Sequence, residues 1–118
     1  MTQGSRTARV GEEIREVLAE EIQKLKDPRV GFVTVTGVKV SPDLRRAWVY
    51  YTSYGDQKAR AGTDAALRSA NHHLRAAVGR EVRLRYLPEL VFEPDTSIEQ
   101  GERIDHLLAG LLEPEDEA

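Results

Sequence analysis

The chain has 118 residues, 40% of them hydrophobic, no cysteine and a formal net charge of −3. That length holds one domain with one modest core, and the missing cysteines exclude disulfides and thiolate-ligated zinc or iron–sulfur centres. No stretch reaches the length of an apolar membrane span and the N-terminal residues lack an unbroken apolar h-region, so the expected location is the cytoplasm.

In chain order, the apolar residues Val10, Ile14, Val17, Leu18, Ile22 and Leu25 keep to one side of a helix. Asp27-Pro28 ends it, because a residue before proline avoids the helical region. "VGFVTVTGVKV" then alternates as a strand, with Val33 and Val35 in one phase and Val38 and Val40 in the other. The slip at Thr36-Gly37 predicts a β-bulge. "SPDLRR" reads as a turn and "AWVYYTSY" as the second arm of a hairpin. The alanine-rich segment 56–80 returns to helical spacing. "VRLRYLPELVFEP" reads as a third strand, because Val82, Leu84 and Tyr86 alternate with Arg83 and Arg85; Pro88 should interrupt its pairing or place it at an edge. Ile98, Ile104, Leu107, Leu108, Leu111 and Leu112 predict a C-terminal helix before a fraying "EPEDEA". The order is α-β-β-α-α-β with an acidic helical appendage, an α+β chain.

Charge is segregated along this order. Residues 1–86 carry 16 Lys and Arg against 10 Asp and Glu, net +6, whereas residues 87–118 carry Arg103 against 10 Asp and Glu, net −9. A basic body with an acidic end is one compositional hint of nucleic-acid contact, although two solvated faces of opposite sign would read the same way.

The segment "RSANHHLRAAVGREVRLR" concentrates the candidates. On a helical wheel Leu67, Ala70, Leu74, Ala77 and Val78 share one side, and Arg68, His72 and Arg75 share the other. His73 lies roughly 100° around from His72. Adjacent histidines this divergent cannot chelate one metal, which wants i, i+3 or i, i+4 spacing, and His106 is far away; no metal site is expected. No G-x-S-x-G, H-E-x-x-H or P-loop accompanies them, so no catalytic residue is expected either, and a small nuclease built on His72 or His73 lacks an orienting partner. The remaining functional reading is a phosphate-facing surface; the bland one is a solvated helix face. Arg80, Arg83 and Arg85 extend the positive charge, Arg6 and Arg9 add to it, and Arg15 is as readily explained by pairing with Glu12 or Glu16. Trp48, Tyr50, Tyr51 and Tyr54 can stack on bases, but Trp48 and Tyr51 more often fill a small core.

The runs "KDPRVG", "VSPDL", "LRYLPELVFEPDTS" and "IDHLL", in this element order, strongly resemble the ribosome-binding factor A family over residues 5–108. The resemblance implies a KH-like type II fold: a three-stranded sheet with helices packed on one face, plus a C-terminal helix. Residues 1–96 would form the KH-like RNA-binding domain and 97–118 the acidic helix and tail. It further implies a role in late maturation of the small (30S) ribosomal subunit, in processing of its 16S rRNA and in growth in the cold. KH domains grip nucleic acid with a G-x-x-G loop, and no two glycines here are three apart. In this family that loop looks replaced by an Ala-x-Gly kink between two helices, matched here by Ala70-Asn71-His72, with His72 in the glycine position and Asn71 able to supply a left-handed break. The RNA-binding set is then Arg6, Arg9, Arg68, Ser69, Ala70, Asn71, His72, Arg75, Arg80, Arg83 and Arg85.

The leading expectation is a monomeric, non-enzymatic assembly factor that binds the free 30S subunit and 16S rRNA, without cofactor, membrane or small-molecule substrate, and with an assembly GTPase as a further partner. The alternative is an adaptor that docks a basic ribosomal protein through its acidic C-terminal helix.

Overall fold

The computed structural model describes residues 2–95. The expected C-terminal helix, His106 and the acidic tail, and with them the 97–118 unit, lie outside the described residues. The elements are α1 (Thr2–Gln23), β1 (Val33–Val40), β2 (Arg46–Ser53), α2 (Gln57–Ser69), α3 (Asn71–Glu81) and β3 (Glu89–Pro94).

α1 buries Val10, Ile14, Leu18 and Ile22, four positions at strict i, i+4 spacing. Each buried side chain of this size contributes about 2 kcal/mol of burial free energy, so the stripe rather than helix propensity holds α1 in place. The helix begins two turns before the expected Val10. Gly11 lets α1 sit close on the sheet: a Cβ there would approach the Val38 carbonyl oxygen to 2.8 Å.

β1 and β2 pair antiparallel, with the register jumping between Val35↔Tyr51 and Gly37↔Tyr50. Thr36 is the extra residue of the expected bulge, and it moves the core-facing phase from Val35 to Val40, both buried. β3 joins β2 in parallel, giving the order β1-β2-β3. A parallel neighbour needs a long crossover, and α2 and α3 supply it. Ala47, Val49, Tyr51, Leu90 and Phe92 face the helices and are buried, while Trp48, Tyr50 and Val91 alternate onto the open face. All three helices therefore lie on one side of a KH-like type II sheet.

The third strand departs from the expectation drawn from Val82, Leu84 and Tyr86. Val82 is instead the extended C-cap of α3 (φ −111°, ψ 129°), and no ladder forms before Pro88, which has no N–H to give. Pairing starts at Glu89, whose N–H donates to the Arg45 carbonyl at 2.9 Å. The alternation of residues 82–86 is real but belongs to a loop: Val82 is buried, Leu84 packs on the core edge, and Arg83 and Arg85 face water.

Candidate nucleic-acid interface

The α2–α3 junction is a single residue. Ala70 leaves the helical conformation (φ −88°, ψ 4°) between two helices, while its N–H still donates to Ala66 and its carbonyl still accepts from Leu74. No left-handed residue is used: among the described non-glycine residues only Leu44 has positive φ. The break expected at Asn71 is thus at Ala70, in a conformation any residue adopts, and a glycine at position 72 is not required by the backbone. Asn71 acts differently, its Nδ2 donating to the Leu90 carbonyl at 3.1 Å and tying the junction to β3.

Of the residues expected to face RNA at this junction, Arg68, Ser69 and His72 are exposed; Ala70, Asn71 and Arg75 are half-buried. Arg68 is also engaged. Its Nε donates to Asp64 Oδ2 at 2.8 Å, and the buried Tyr51 hydroxyl donates to the other oxygen at 2.8 Å. Desolvation opposes ionisation of Asp64, but the hydrogen bonds from Arg68 and Tyr51 outweigh it and hold the carboxyl below its ordinary range. Burial first, then the bond to Asp64, pushes the Tyr51 phenol up. Tyr51 is therefore a core residue with one polar tip, as its size suggested.

Arg75 does not share a face with Arg68 and His72, contrary to the helical wheel. Its Nε donates to the Pro88 carbonyl at 2.9 Å and its Nη2 to the Leu87 carbonyl at 3.1 Å. The guanidinium fork turns inward because two backbone carbonyls lie within its reach. Arg75 thereby holds the 83–88 loop against α3. One turn further on, Gly79 leaves room for it, since a Cβ there would meet Leu87 Cδ1 at 2.5 Å.

The last turn of α3 (Arg80) and that loop (Arg83, Arg85) place the remaining arginines at the other end of α3, about 15 Å from the junction at 1.5 Å per residue. Here the α1 N-terminal turns (Arg6, Arg9), the β1–β2 turn and residues 80–86 converge. Arg6, Arg9, Arg80, Arg83 and Arg85 are exposed, and among the described residues none of them forms an ion pair. A depression of about 350 Å³ lies among Arg6, Asp43, Leu44, Arg45, Arg85 and Tyr86. In it the Arg45 guanidinium covers the Tyr86 ring at 4.1 Å from the centroid, and Arg85 stands at 5.8 Å. Sequence reading missed Arg45 and Tyr86 as a unit; they are separated by both helices and share no spacing signal. The Asp64–Arg68 pair it could have found, from the i, i+4 spacing alone.

His73 faces α1, with Nε2 3.6 Å from Glu21 Oε1, whereas His72 faces water. The two rings diverge as the helical period requires. Among the described residues no three His, Asp or Glu side chains gather in metal-binding geometry, and no helix is long and apolar enough to cross a membrane.

Comparison with known proteins gives one family. The model described as ribosome-binding factor A matches residues 6–108. A ribosome-binding factor A of Geobacter sulfurreducens is 50% identical over 105 residues, 88% of this chain and 89% of that protein. The crystal structure of ribosome-binding factor A from Thermus thermophilus superposes with a TM-score of 0.67 at 39% identity, covering 75% of this chain and 94% of that one. A homology model of the Thermus thermophilus factor, fitted into a cryo-EM map of a complex with the 30S subunit, gives 0.65 at 38% identity, covering 76% and 96%.

Proposed function

Since the chain belongs to the ribosome-binding factor A family, we propose that it binds the free 30S subunit by contacting 16S rRNA and assists late maturation of the subunit, including processing of that rRNA. The observation that carries this reading is the group of exposed, unpaired arginines at residues 6, 9, 80, 83 and 85. Such a cluster favours phosphates by releasing their counterions, and its spread over two chain segments far apart in sequence suits a folded RNA surface rather than one groove. Arg68, Ser69 and His72 extend the contact at the α2–α3 junction, while Ala70, Asn71 and Arg75 shape the surface from behind. The role asks for no bond-making chemistry, no cofactor and no small-molecule substrate. The protein acts as a cytoplasmic monomer, because one sheet with helices on one face already buries its apolar stripes, and an assembly GTPase acts alongside it.

Co-sedimentation with purified 30S subunits across a salt series tests the reading. Association should fall log-linearly with salt. Association that needs a basic ribosomal protein, and not rRNA, would replace it with docking through the acidic 97–118 segment.

A further inference from the structure

The arginine cluster contains one element that phosphate binding does not explain. An exposed arginine gains nothing for phosphate contact by lying over an aromatic ring, and a half-exposed tyrosine adds no charge. Yet Tyr86 is 50% exposed and Arg45 lies 4.1 Å from its ring centroid. Both are mounted rigidly. Arg45 follows Leu44, whose φ of 61° lies in the left-handed region that a non-glycine residue rarely adopts. The turn is held by Asp43 Oδ1, which accepts from Ser41 Oγ at 2.7 Å and from the Arg45 N–H at 3.0 Å. The Arg45 carbonyl accepts from Glu89. Tyr86 rides on the loop that Arg75 clamps by its next two carbonyls. A strained turn and a clamped loop thus present one π-surface at the floor of an arginine-lined depression.

Resting on the reading of the chain as an RNA-binding factor, we propose that this depression holds one unpaired nucleotide of RNA. The base stacks on the Tyr86–Arg45 platform, and Arg6 and Arg85 hold the flanking phosphates. Stacking is what an aromatic–guanidinium surface offers to any base, and only an unpaired base can present its face to it. The single carboxylate in the depression, Asp43, is already committed to Ser41 and the Arg45 N–H, so three arginines leave it net positive. An acidic protein loop is disfavoured, because carboxylates would use the arginines alone and draw nothing from the stacked ring surface.

The test uses the full chain, with a short fluorescein-labelled oligoadenylate and a blunt RNA duplex as probes in anisotropy titrations. Tyr86→Leu keeps the apolar bulk and removes the ring, and Arg45→Ala removes the guanidinium from an exposed position. Each should weaken oligoadenylate binding about tenfold while moving duplex binding less than about twofold, and Tyr86→Trp should retain it. Unchanged oligoadenylate binding by the two variants, or an equal loss on the duplex, overturns the site. Loss of 30S association with oligoadenylate binding intact would assign the platform to a protein and overturn it too. A wild-type chain that binds neither RNA defeats the RNA-binding reading itself, and the site falls with it.

Discussion

The α2–α3 junction and the turn end of the sheet both carry arginines, in opposite states. At the junction Arg68 is neutralised by Asp64, Arg75 is turned to backbone carbonyls and Ser69 Oγ accepts from Arg29 Nη2 at 3.5 Å, which leaves His72 as the open polar group. At the turn end Arg6, Arg9, Arg80, Arg83 and Arg85 have no acidic partner among the described residues. An arginine already hydrogen-bonded to a carboxylate has less to gain from a phosphate, because it must give up one anion to take another. Charge counted along the chain does not distinguish the two states; partners in space do.

The largest effect should follow from reversing the free charges. Arg83→Glu with Arg85→Glu should lower the salt slope of 30S binding by about 2 and weaken binding at least roughly tenfold, against less than about 1 in slope for Arg68→Ala. Equal losses in co-sedimentation would erase the difference between the regions. Next, Arg75→Ala should cost about 2 kcal/mol, because two carbonyls lose a charged donor. Its melting temperature should fall by several degrees, whereas an ordinary exposed arginine truncation costs no more than about 0.5 kcal/mol. Arg75→Lys should recover only part of the loss, since a point charge cannot span two acceptors.

Asp64→Asn probes the junction at about 1 kcal/mol, modest because the pair is partly exposed. The folded carboxyl titrates below its unfolded value of about 4, so its stabilisation is present above that pH and disappears as pH falls through the lower folded value. Glu12 is also held low by Arg15, Asp27 (about 2) by Arg29, and Asp43 by Ser41. Parent and variant share the pH dependence of these three exposed carboxylates. The difference between parent and variant in acid melts isolates Asp64, and it should narrow toward low pH. The smallest change belongs to His72→Gly, at about 0.5 kcal/mol or less, the propensity difference for an exposed helical position. Unchanged 30S binding by this variant would match a kink made at Ala70; a gain would show that residue 72 limits it.

Much of the fold was legible because its signals are local. The i, i+4 stripe of α1, the phase slip at Thr36 and the turn chemistry of Asp43 each lie within a few residues, and each reappears in the structure. The start of β3 was misread because alternation says only that successive side chains point opposite ways, which residues 82–86 do without pairing. Pro88 was the better signal, and it marks where the ladder begins.

The site divides along the same line. Residue types and periodicity identified the basic segments, and the i, i+4 spacing of Asp64 and Arg68 was there to be read as a pair. Whether an arginine is available depends on acceptors brought near by the chain's return. Arg75 finds its carbonyls 12 and 13 residues away, and Arg45 finds Tyr86 across the whole crossover. Within residues 2–95, sequence alone determined which segments are helix, which are hairpin and where positive charge accumulates, because these follow from neighbours in the chain. Tertiary structure decided which arginines remain free and which aromatic ring stays exposed, because both depend on contacts that exist only once β3 lies parallel to β2 and the 83–88 loop closes on α3.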